Sequence, residues 1–258
     1  MISVKSRREI DLMRRAGDIL ARCFQIVEPL VKEGVPTREI ERAADVFIRK
    51  NDGLPSFRGQ PGLVEGAPDF PAAACISVNE EVIHGIPGAR KLKSGDIVSI
   101  DMGVLYKGYH SDMARTFRVG SVSELAERLI RVTEESFWQA AAAAVPGNRV
   151  SDISRVVQRC VEAAGFSVVR DFVGHGIGTE LHEEPQIPNF VERRERRGGR
   201  LQKGMTLAVE PMVNAGACDV DVMSNKWTIV TRDGSLSAHY ENTLLVCDGA
   251  PELLSVAV

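Results

Sequence analysis

Apolar residues recur at helical spacing in two separated stretches, and at strand spacing after each. Ile10, Met13, Ile19, Leu20 and Phe24 follow Ser6-Arg7-Arg8-Glu9, a capping-box pattern that predicts a long first helix. Gly34-Val35-Pro36 breaks it. Thr37 is expected to cap a second helix with Ile40, Ala43, Ala44, Phe47 and Ile48 on one face, ending near Gly53. A loop rich in glycine and proline runs from Leu54 to Pro71, and strands follow to about residue 119. The plan then repeats. A helix is predicted from Ser123 through Ala144, a Pro146-Gly147 break, a helix from Val150 to Ala164 closed by Gly165, then strands and loops to Val246. Gly34–Ile40 aligns without gaps on Gly147–Ile153, and Ala43 and Phe47 then fall on Val156 and Cys160. The repeated order predicts a single α+β domain over 1–258, built of two halves, about 1–119 and 120–258, around one central site.

Composition narrows the setting. The chain has 258 residues, 44% of them hydrophobic and 26% charged, as in an ordinary globular protein. A formal charge of −3 gives no global attraction to DNA or acidic membranes. Cysteines 23, 75, 160, 218 and 247 are odd in number and form no C-x-x-C pair, as expected of reduced thiols in a cytoplasmic protein. Neither a signal peptide nor a membrane span is visible. The basic run Arg193-Arg194-Glu195-Arg196-Arg197-Gly198-Gly199-Arg200 reads as a solvated loop, with contact to an anionic partner such as ribosomal RNA as the other reading.

The chemistry lies in acids placed where strands should be buried. Asp101 closes Ile97-Val98-Ser99-Ile100-Asp101, Glu210 ends Met205-Thr206-Leu207-Ala208-Val209-Glu210, and Glu241 opens Glu241-Asn242-Thr243-Leu244-Leu245-Val246. Asp112 lies on the strand that returns after Asp101. An unpaired carboxylate in such a run costs several kcal/mol or takes up a proton. Two divalent cations, with His175 as a fifth donor, would balance the four charges. A two-residue turn at Lys107-Gly108 sets Tyr106 opposite Tyr109, Gly103 opposite Asp112 and Asp101 opposite Ala114. Asp112 is then the diagonal neighbour of Asp101 on one face, roughly 7 Å away or less, close enough to share metals about 3.5–4 Å apart.

The chain has five histidines, at 84, 110, 175, 182 and 239. Read singly, each better suits a hydrogen-bonded structural role. Gly174-His175-Gly176-Ile177-Gly178 reads as a flexible, exposed backbone carrying one ligand-capable side chain, and Leu181-His182-Glu183-Glu184-Pro185 is not a zinc-protease H-E-x-x-H helix. Taken together, the segments resemble the type I methionine aminopeptidases. The resemblance runs through Val78–Pro87, Asp101 and Asp112, Gly174–Gly178, His182–Pro185, Glu210-Pro211-Met212 and Tyr240–Thr243, in the family's order, and includes Met13–Gly17.

That resemblance implies a pita-bread fold, a central antiparallel sheet flanked by helices, with two pseudo-symmetric halves around a dinuclear centre. It implies Asp112 and Glu241 as bridging ligands, Asp101 on one metal, and His175 and Glu210 on the other. The metals are Co, Mn, Fe(II) or Zn, and an oxygen-rich set with one histidine suits all four. Glu210 is the expected proton handler, His182 the oxyanion donor, and His84 the contact to the scissile nitrogen. Phe57, Phe70, Cys75, Leu181 and Trp227 are the implied methionine pocket, though each equally suits a plain core role. The implied activity removes an N-terminal methionine from nascent proteins when the second residue is small. The chain is expected to act as a monomer, with the ribosome a candidate partner. Ser56-Phe57-Arg58-Gly59-Gln60-Pro61-Gly62 departs from the family pattern, which carries a pocket tyrosine and a shorter loop before Phe70-Pro71. His239 and Asn242 stand where other members often carry Gln and His. The rival readings are an X-Pro dipeptidase or aminopeptidase P of the same fold, and a non-catalytic peptide-binding module.

Overall fold

Ser6 starts the first helix as its sequence requires. Its hydroxyl accepts from the Glu9 N–H while the Glu9 carboxylate accepts from the Ser6 N–H at 2.6 Å. The computed structural model describes residues 2–62, 64–191 and 198–256, so Arg193–Arg197 of the basic run lie outside the described residues. Helix α1 (Arg7–Val27) buries Met13, Ala16, Ile19, Leu20, Cys23, Phe24 and Val27. It stops before Gly34, in a 3-10 turn at Glu28–Leu30 whose Pro29 has no N–H to continue the ladder. Helix α2 (Thr37–Lys50) corrects one expectation: Pro36 is its N-cap, and Thr37 is the first helical residue. The Thr37 hydroxyl turns away and accepts from the Gly88 N–H at 2.8 Å. Helices α3 (Glu124–Ala143, capped by Ser123) and α4 (Val150–Ala163) lie where the periodicity put them. Among the described residues no helix is long and apolar enough to cross a membrane.

Among the described residues the strands form a nine-stranded sheet and two small three-stranded ones. In the large sheet the order is Leu54–Pro55, Ile97–Tyr106, Tyr109–Arg118, Glu241–Leu245, Thr206–Val209, Gly174–Gly176 and Glu183–Ile187. Each neighbouring pair in this order is antiparallel. Ala74–Val78 also pairs with Ile97–Tyr106. Strands from the first and second parts of the chain meet where Tyr109–Arg118 lies beside Glu241–Leu245. Separate apolar clusters back the two sides. One joins α1 and α2 to Ala74–Val78 and Ile97–Tyr106, the other α3 and α4 to Thr206–Val209 and Glu241–Leu245. This architecture, with helices packed on a central antiparallel sheet, is the pita-bread fold that the resemblance implied.

Candidate metal centre

The register alone gathers the five candidate ligands. Asp101 is opposite Ala114, and Ala114 is opposite Glu241, so these three side chains share a face. Asp112 is two residues from Ala114 and therefore on that face too. Asn242 pairs with Val209, which sets Glu210 against Glu241, and His175 pairs with Ala208, two residues before Glu210. The small side chains of Ala114 and Ala208 leave the space that the acids and the imidazole occupy. The hairpin behaves as its turn dictates: Lys107 and Gly108 both have positive φ, 48° and 87°, and the pairs Tyr106–Tyr109, Gly103–Asp112 and Asp101–Ala114 are formed.

His175 departs from the exposed backbone expected for it. Gly174–Gly176 is a buried strand, and His175 is 6% exposed. Its glycines serve close approach. A Cβ on Gly174 would lie 2.5 Å from the Ala208 carbonyl oxygen, and one on Gly176 would lie 2.3 Å from that of Glu184. The ring is oriented by its Nδ1–H, which donates to the Gly176 carbonyl at 2.9 Å and leaves Nε2 facing Glu210 Oε1 at 3.4 Å.

Ligand atoms of Asp112, His175 and Glu241 all lie within 4.8 Å of one another. Asp101 and Glu210 border the same cavity, of about 610 Å³. The donor set fits divalent cations on grounds internal to the structure. Buried Asp101 Oδ1 and Glu241 Oε1 have no hydrogen-bond partner among the described residues, an arrangement that costs free energy unless something else satisfies them. Burial, reinforced by repulsion from the neighbouring carboxylates, holds Asp101, Glu210 and Glu241 well above the usual carboxylate range. Burial likewise pushes Asp112 up to about 7. It pushes His175 down to about 3, so the imidazole is neutral and its lone pair available.

Beyond these five lie the other predicted residues. The His182 ring is exposed to the cavity and packs edge-on against His175, centroids 4.4 Å apart. The apolar walls around it still lower its pKa by desolvation. His84 sits at a positive φ of 58°, a strained position for a non-glycine residue. It is wedged between Phe172 and Trp227, with its Nδ1 buried and without a hydrogen-bond partner among the described residues. Phe57, Phe70, Cys75, Leu181 and Trp227 are buried and line the same cavity. Cys75 pairs with Asp101, which puts the thiol on the face of the acids. Trp227 is fixed by an Nε1–H donated to the Pro68 carbonyl at 2.8 Å, so the longer loop before Phe70 holds one wall of the pocket. Gln60 and Pro61 of the departing loop also reach the cavity, as do Ile83 and Phe172, which the sequence did not assign to the site. Only nearness to the signatures marks them.

Comparison with known proteins agrees with this geometry. The model of metallopeptidase family M24 matches residues 11–248. A methionine aminopeptidase of Clostridium perfringens is 53% identical over 256 residues, 99% of each chain. Methionine aminopeptidase 1 of Bacillus subtilis is 45% identical over 255 residues, again 99% of each. The crystal structure of a methionine aminopeptidase from Thermotoga maritima superposes with a TM-score of 0.93 at 42% identity, covering 99% of this chain and 100% of that one. A prolidase of Pyrococcus furiosus shares the fold at a TM-score of 0.76 and 22% identity, with 65% of its chain covered.

Proposed function

The chain belongs to metallopeptidase family M24, and from that premise we propose that it is a methionine aminopeptidase, a metal-dependent hydrolase that removes N-terminal methionine. The observation that carries the reading is a single cavity with a carboxylate-and-histidine floor and an apolar wall. Such a site can hold metal ions beside a methionine side chain.

Asp101, Asp112, His175, Glu210 and Glu241 would hold two divalent cations of the Co, Mn, Fe(II) or Zn class. When bound, such a pair lowers the pKa of water and polarises a carbonyl. Glu210 takes up the proton that the attacking water loses. His182, open to the cavity, donates to the oxygen on which charge develops. His84 faces the scissile nitrogen. Phe57, Phe70, Cys75, Leu181 and Trp227 enclose the methionine side chain and exclude water from it. The same reading makes the chain one catalytic domain of two related halves. It acts as a cytoplasmic monomer on nascent N-termini with a small second residue. The five free cysteines fit a reducing compartment.

The test is hydrolysis of Met-Ala-Ser by metal-free protein resupplied with Mn2+. Cleavage after methionine, with kcat/KM far higher than for Met-Phe-Ser, is expected. Cleavage confined to Xaa-Pro peptides would move the chain to another branch of the fold. Metal binding without hydrolysis of either class would leave a peptide-binding module.

A further inference from the structure

We propose that His239 is a positioning residue of the metal centre, donating its Nε2–H to Glu210 Oε2 so that Oε1 is presented beside His175; this rests on the metallopeptidase reading above. Glu210 divides its two oxygens between two imidazoles. Oε1 lies 3.4 Å from His175 Nε2, and Oε2 lies 3.7 Å from His239 Nε2. His239 is 1% exposed, and neither of its ring nitrogens has a hydrogen-bond partner among the described residues. A buried polar group left this way loses its hydration with nothing in return, a cost of about 1–3 kcal/mol. The Glu210 carboxylate is an acceptor that faces it.

The ring is held in place from behind. The His239 N–H donates to Thr116 Oγ1 at 2.9 Å, and the same hydroxyl bonds the His239 carbonyl at 2.9 Å and Ser99 Oγ at 2.8 Å. The backbone of Glu210 is anchored too, its carbonyl accepting from Asn189 Nδ2 at 2.9 Å. What stays adjustable is the carboxylate torsion, which is soft, so a small rotation closes the gap. Arg115 is the nearby cation that could compete, and it is committed elsewhere. It donates to the carbonyls of Ala114 and Glu241 and to Asn242 Oδ1, and stacks on Tyr240 at 3.8 Å. An imidazole carries an N–H in either tautomer, and with both nitrogens free the proton can reside on Nε2. Partners of this kind orient metal-binding carboxylates, and their loss commonly weakens metal binding about 10–100-fold.

The experiment titrates metal-free wild type, H239L and H239Q with Mn2+ alone by calorimetry, and records the visible spectrum of each protein loaded with Co2+. Leucine fills the space without a donor, and glutamine restores an N–H at similar reach. H239L should bind Mn2+ about 10–100-fold more weakly with a changed Co2+ spectrum, while H239Q stays close to wild type. The metal-free melting temperature of each variant checks folding, and H239N, too short to reach Oε2, replaces H239L if that chain does not fold. Wild-type affinity and spectrum in H239L would overturn the proposal and leave the metallopeptidase reading intact. Equal weakening in H239L and H239Q would also overturn it, because the donor would then not be what matters. A wild-type protein that takes up no Mn2+ would overturn the underlying reading itself.

Discussion

Histidines 175 and 182 touch each other, yet their surroundings assign them different work. His175 is buried, with Nδ1 committed to a carbonyl and Nε2 turned to the acids, whereas His182 is open to the cavity. His175→Ala should therefore lose metal, with activity partly restored at high Mn2+. His182→Ala and His84→Ala should keep metal and lower kcat by about 10²–10³, the usual loss for one donor to a developing charge. Metal analysis beside steady-state kinetics checks this, and metal lost from His182→Ala but kept in His175→Ala would exchange the two roles. The acids allow a second test, on metal-free protein. Asp101, Glu210 and Glu241 are held well above the usual carboxylate range, by burial first, and Asp112 is pushed to about 7. Above pH 6.5 the unfolded chain has lost these protons while the folded chain retains some. Stability must then fall as pH rises. The buried histidines act with the opposite sign, but only below about pH 7.5, because above it their unfolded forms no longer hold protons. The melting temperature of metal-free protein should thus drop between about pH 7.5 and 8.5, and saturating Mn2+ should remove the drop. A metal-free melting temperature that rose over that interval would contradict the buried-acid centre.

At the level of elements, the strand carrying His175 packs closely on its neighbours because the two residues flanking that histidine have no side chains. Gly176 passes 2.3 Å (measured from its absent Cβ) from the Glu184 carbonyl oxygen, a backbone atom that a rotamer change does not move. Gly176→Ala should force Gly174–Gly176 away from Glu183–Ile187, costing about 1–3 kcal/mol, and weaken metal binding because His175 moves with the strand. Urea unfolding and a Mn2+ titration would measure both, and an alanine variant matching wild type in each would contradict the close approach. Close contact between backbones is what these glycines permit. The sequence shows the same glycines but suggests accessibility, because a glycine run with no partner strand in view reads as a loop. Helix starts at Ser6 and Ser123 and the Lys107-Gly108 turn were legible, since capping and turn chemistry act within four residues. The Pro36 cap was misread because the Thr37 hydroxyl is drawn off by Gly88, fifty-one residues away in the chain.

Across the whole molecule, the N-terminal segment ties the site to the far side of the chain. Lys5 is 8% exposed and donates to Glu183 Oε2 at 2.6 Å and to Ser3, while its backbone N–H reaches the Gly204 carbonyl at 2.8 Å. Glu183 follows His182 directly, so this ion pair secures the turn that presents His182. Lys5→Ala removes the cation from a half-buried carboxylate that keeps its hydrogen bonds from Ser3 and the Glu180 N–H, and should cost about 1–3 kcal/mol, with kcat lowered more than metal content. Chemical denaturation and metal analysis check both, and a stability within error of wild type would contradict the anchoring role. Nothing in Ile2-Ser3-Val4-Lys5 signals this, because the partner lies 178 residues on.

By itself the sequence determined the helices and the capped starts at Ser6 and Ser123, the hairpin register that puts Asp101 and Asp112 on one face, and the need for cations among buried acids. These follow from local periodicity, turn chemistry and the cost of burying charge, all of which act within a few residues or need no partner to be named. Tertiary structure decided the alignment of Ala114 with Glu241 and of His175 with Ala208, which draws Glu241, Glu210 and His175 to the face of the aspartates. It also decided that Cys75 and Trp227 wall the same cavity, and that His239 faces Glu210. Each of these is a pairing between segments far apart in the chain, and strand pairing between distant segments is set by packing of the whole sheet, which no local pattern encodes.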